Sequence, residues 1–109
     1  MTFDISAVFQ NMESAVQGTV TTAWPQAQAI WIQFAQTNKD TLQDMAAATI
    51  SGEMNSEELQ SYLADMKTTL QAQLLATEIM ALAVAQAAAN AALDIFWTAV
   101  NAAIGLKPI

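Results

Sequence analysis

From Glu53 through Ile104 the chain contains neither glycine nor proline, and alanine, leucine, methionine, glutamine and glutamate predominate. These residues lose little on entering a helix, so a run of this kind predicts helix and little else. Nothing in it stops a helix until Gly105, with Lys107-Pro108 just beyond, a complete C-terminal stop signal. A helix from Ser56 to Ile104 would be about 70–75 Å long.

The first half is helical too, with punctuation. Ile5, Val8, Phe9, Met12, Val16, Val20 and Trp24 recur in steps of three and four and define one helical face, with Thr2 or Asp4 as cap. Gly18 falls inside the pattern, where it costs about 1 kcal/mol relative to alanine. Trp24-Pro25 predicts a kink, because proline disfavours the α conformation in the residue before it, and Pro25 opens the next helix. That helix has Ala27, Ile30, Trp31, Phe34, Leu42, Met45 and Thr49 on one face and weakens at Thr37-Asn38-Lys39-Asp40, where Thr37 could cap a fresh start. Gly52 suits the left-handed residue after a helix end, and Asn55 with Glu58 matches a capping box.

Lengths then suggest the architecture. Helices over about 4–24 and 25–50 together match the length of a third over 55–104, so the expectation is a single all-α domain over 1–109. It would be an elongated helical hairpin with one arm kinked at Pro25, a turn at 51–55 and a tail at 105–109. The first helix would lie beside the end of the third. One hairpin buries only a stripe on each helix, whereas Ala81 to Ala92 is apolar on almost every face, the mark of a buried helix. Further copies would complete the burial, giving an oligomeric helical bundle.

Composition narrows the function. The 109 residues are 54% hydrophobic and 12% charged, with 10 acids, 3 basic residues and no histidine, for a net charge of −7. Arginine and cysteine are absent as well. Nucleic-acid binding needs a basic surface and is not expected. Zinc, haem and thiol chemistry lack their usual ligands and nucleophiles, so no metal and no cofactor is expected. Glu57 and Glu58 are adjacent and diverge on a helix, and Ser61, Tyr62 and Lys67 form no base–nucleophile set, so the chain is not expected to be an enzyme. Six acids and two lysines fall between Lys39 and Lys67, giving a charged turn end and an apolar shaft.

The shaft supplies the candidate self-association residues: Ala81, Ala85, Ala88, Ala89 and Ala92, followed by Leu93, Phe96, Trp97 and Val100, with Trp24, Trp31 and Phe34 from the other arm. Small side chains let helix backbones approach closely. A charge at Ala88 is expected to disperse such an assembly and leave the helices intact. Trp24 and Trp97 belong to arms that would meet. Gln86, Asn90 and Asp94, four residues apart, form a narrow polar stripe, read as solvent-facing, with a polar lining or a register device between subunits as the alternative.

The acidic start Met1-Thr2-Phe3-Asp4 and the spaced apolar positions after it give no cleaved signal. Cytoplasmic synthesis is expected, with any export by a signal-independent route or within a particle. Ile79 to Leu106 is long enough to span a bilayer, but Asp94 near its centre would cost about 2.5–3.5 kcal/mol.

The layout is similar to that of small helical subunits of secretion needles, with an acidic helix start at Asn55-Ser56-Glu57-Glu58-Leu59. The alanine- and glutamine-rich texture resembles proteins that polymerise into bacterial R-body ribbons. Neither likeness extends to a specific motif, and the turn lacks the proline usual in needle subunits. The resulting expectation is a non-enzymatic structural subunit that forms a homo-oligomer or filament of needle, ribbon or virion-component type. The alternatives are a membrane- or lipid-associating amphipathic protein and a small helical adaptor or chaperone for a hydrophobic client.

Overall fold

The computed structural model describes residues 3–78 and 80–105. The protein is all-α: α1 spans Ile5–Val20, α2 Trp24–Ser51, α3 Ser56–Leu75 and α4 Leu82–Gly105, with a short 3₁₀ turn at Thr21–Ala23. α2 alone is about 42 Å long, and the longest dimension of the molecule is 47 Å. The helices therefore lie side by side. Among them α1 packs most extensively on α4.

Local chemistry accounts for several helix ends. The Asp4 carboxylate accepts hydrogen bonds from the backbone N–H groups of Ser6 (3.0 Å) and Ala7 (3.3 Å), capping α1. Pro25 sits in the first turn of α2, where its missing N–H costs nothing. Gly52 has φ 89°, the left-handed conformation suited to glycine. Asn55 accepts from Glu58 N–H at 2.8 Å while Glu58 accepts from Asn55 N–H, a full capping box. α2 runs unbroken through Thr37, so no fresh start occurs there.

Two features depart from the sequence reading. The single helix expected over 55–104 is two helices, with a link between Leu75 and Leu82. No residue there breaks a helix. The break is tertiary in origin, since a straight continuation would carry the apolar faces of α4 away from the rest of the chain. Glu78 takes φ 59° in the link. The joint at Pro25 is likewise a reversal instead of a kink in one arm. Ser6 on α1 meets Lys39 on α2 (Oγ to Nζ 3.2 Å), and Phe9 meets Trp31 with ring centroids 5.8 Å apart, so rising numbers on α1 oppose falling numbers on α2. The described chain is thus four packed helices and not a kinked two-arm hairpin. The tail at 106–109 lies outside the described residues.

The core runs the length of the bundle. α1 contributes Ile5, Val8, Phe9, Met12, Val16 and Val20, the face read from the sequence. Opposite them α4 buries Ala85, Ala88, Ala89, Ala92, Leu93, Phe96 and Val100, all between 0% and 1% exposed. Large side chains on α1 set against alanines on α4 let the two backbones approach closely. Ala27, Trp31, Phe34, Leu42, Met45 and Ala46 of α2 and Leu59, Leu63, Leu70 and Leu74 of α3 complete it.

Candidate interaction surface

The alanine face expected to need further copies is covered by the chain itself. Ala85, Ala88, Ala89, Ala92, Leu93, Phe96 and Val100 are inside the bundle, as are Trp31 and Phe34. Trp31 lies between two rings, 5.8 Å from Phe9 and 5.6 Å from Phe34. Trp24 and Trp97 are half-buried, and Ala81 is exposed. Among the described residues no ring contact joins Trp24 to Trp97; Phe96 instead meets Phe3 edge-on at 6.0 Å. Ala88 is a core residue of one chain, so a charge there attacks the fold itself and not an assembly.

What is left for a partner is the outer side of α4. Gln86, Asn90 and Asp94 are exposed along it, and Asp94 Oδ1 accepts from Lys67 Nζ of α3 at 2.9 Å. With the two side chains 31% and 62% exposed, this pair is worth about 0–1 kcal/mol, screened by salt. The stripe continues through Thr98 and Asn101, also exposed.

Open grooves flank this ridge. One, of about 290 Å³ between α3 and α4, has Leu63, Lys67, Asp94 and Trp97 in its walls. The other, of about 350 Å³ between α1 and α4, is lined by Asn11, Asp94, Ile95, Thr98, Ala99 and Ala102 and is mostly apolar. A third, of about 420 Å³ between α1 and α2, includes Glu13, Ile32 and Lys39. Ile32, Tyr62 and Leu82 are the large hydrophobic side chains left most exposed.

Ala99, Ala102 and Ile32 were missed by the sequence reading of the surface. Ile32 carried a signal: Ile30, Trp31 and Ile32 are consecutive and cannot share one helical face. Among the described residues no cluster of three or more acidic, histidine or cysteine side chains could hold a metal ion. In the α1–α2 groove Lys39 Nζ donates to Ser6 Oγ at 3.2 Å, an exposed contact with Glu13 also in the groove wall. No known protein family, no curated protein and no solved structure matches this chain.

Proposed function

We propose that the protein is a non-enzymatic structural subunit that associates with copies of itself through the outer side of α4. One observation carries this reading. Leu82–Ile104 is long and apolar enough to cross a membrane, yet its own bundle buries only 33% of the relevant stretch. The side left open mixes Ala83, Ala87 and Ala102 with the polar Gln86, Asn90, Asp94, Thr98 and Asn101. Of the two grooves beside α4, the one shared with α1, with Ile95, Ala99 and Ala102, has the more apolar lining. The composition, without histidine, cysteine or arginine, supports the same reading.

Sedimentation velocity in detergent-free buffer, over a range of protein concentrations, tests it. The wild-type chain is expected to form species larger than the 11.7 kDa monomer. Thr98→Glu adds a charge to an exposed position of the groove and is expected to reduce those species with helix content unchanged. A wild-type chain that stays monomeric throughout removes the proposal, and a Thr98→Glu variant that assembles like its parent moves the interface off α4.

The same helix supports a second reading, association with a lipid surface. In that case the chain stays small in buffer and floats with added vesicles.

A further inference from the structure

The joint between α1 and α2 concentrates two backbone conflicts. Thr21 has φ 52° and ψ −108°. Positive φ is uncommon outside glycine, and for a β-branched residue it is a true outlier, costly enough to persist only where the surroundings enforce it. Three residues on, Trp24 is held at φ −57° and ψ −43°. That is the α conformation which the ring of Pro25 disfavours. Neither the 3₁₀ turn nor the start of α2 has a side-chain cap hydrogen bond.

The joint is kept closed by the packing of α1. Its six buried apolar residues face the core, while its side-chain polar ties to other helices, among the described residues, come down to Ser6 with Lys39 at 3.2 Å. An apolar seam of this kind is not specific to one chain. The seat on α4 and α2 fits α1 by construction, and a second copy offers the same seat. A released α1 could not stay in water with Phe9, Met12 and Val16 exposed, so the identical seat is where it would go. Opening the joint frees Thr21 from its positive φ, and short, strained hinges favour exchange of this type.

We propose that copies of this chain exchange α1: the helix leaves its own α4 and docks on the α4 of a second copy, with the Val20–Trp24 joint opened. The inference rests on the self-association reading above and gives it a route. Reciprocal exchange closes a dimer, and one-way exchange from chain to chain gives an open filament.

The chain has no cysteine, so introduced thiols report cleanly. Ser6→Cys and Lys39→Cys are placed on separate chains, mixed under assembling conditions and treated with a short bifunctional thiol reagent. This pair lies on the α1–α2 side, away from the outer ridge of α4, so simple docking through α4 does not bring it together. Exchange is expected to give Ser6–Lys39 links between chains. A Ser6→Cys and Glu57→Cys mixture is expected to give none, because Glu57 lies past the end of α2, about 18 Å further along it than Lys39 and outside the span of a short reagent.

Thr21→Gly removes the strain of the closed joint and is expected to lower the exchanged fraction about tenfold. Thr21→Ala, which keeps an L residue at positive φ, is expected to leave it near the parent value. Inter-chain links that are equally frequent with Glu57→Cys, or unchanged in Thr21→Gly, overturn α1 exchange while leaving assembly through α4 standing. A chain that remains monomeric in every variant overturns both.

Discussion

The two connections at the ends of α2 reverse the chain by opposite means. After α2, Gly52 N–H donates to the carbonyl of Thr49 (3.2 Å) and Met54 N–H to that of Ala48 (3.0 Å). Asn55 and Glu58 then cap the next helix reciprocally. Every step has a partner within a few residues, so the turn is supported by its own chemistry. Before α2, a threonine occupies a conformation suited to glycine, and no side chain caps the joint. That reversal exists because the apolar face of α1 has one place to be buried. The link between α3 and α4 is intermediate: Glu78 takes φ 59° without glycine, yet the Thr77 hydroxyl donates to the Leu74 carbonyl at 2.6 Å and Glu78 N–H to that of Leu75 at 3.0 Å. The architecture therefore leans on its seams, above all the α1–α4 seam, and least on them at the α2–α3 turn.

If that contrast is right, damage to the seam far outweighs damage to the α2–α3 turn. The largest expected effect is that of Ala88→Glu. A bulky, unpaired acid at a position 0% exposed costs about 5 kcal/mol or more, enough to unfold a domain of ordinary stability. Far-ultraviolet circular dichroism at 25 °C is expected to show lost helix, and a folded, soluble variant would break the contrast. Gly52→Ala forces a Cβ into the left-handed region and is expected to cost about 1–2 kcal/mol, read as a lower urea midpoint with unchanged slope. A loss comparable to that of Ala88→Glu would mean that the turn, not the seam, organises the fold. Smallest is Lys67→Met, expected to change stability by about 1 kcal/mol or less, and by less still at high salt. A large, salt-insensitive loss would promote the Lys67–Asp94 pair to a structural clamp.

The contrast also explains what could be read in the residues and what could not. Asp4, Pro25, Gly52, Asn55 and Glu58 act within one helical turn, and each was legible because its partner is close in sequence. The face from Ile5 to Val20 was legible for the same reason, as periodicity is a local property. The break after Leu75 was not, because Ala76-Thr77-Glu78 are acceptable in a helix, and the Thr77 hydroxyl bond to the Leu74 carbonyl (2.6 Å) is one that a threonine can also make inside a helix. Periodicity likewise marked Ala85, Ala88, Ala89 and Ala92 as buried but could not say by what. The cover is α1 of the same chain, some seventy residues earlier, where a second copy had been expected. The stripe at Gln86, Asn90 and Asp94 was read as solvent-facing, and those residues are exposed, while the Lys67 partner of Asp94 lies in another helix and left no local trace.

The alanine edge of α4 has a consequence for how such a sequence can drift. At Ala85, Ala88, Ala89 and Ala92 every replacement but glycine adds volume to a closed contact, and glycine costs the helix about 1 kcal/mol. On the facing helix, Val8, Met12 and Val16 can be exchanged for residues of similar size with modest loss. Tolerance is thus expected to be asymmetric across the seam: substitutions of similar size are absorbed on α1, and the inner edge of α4 admits almost none.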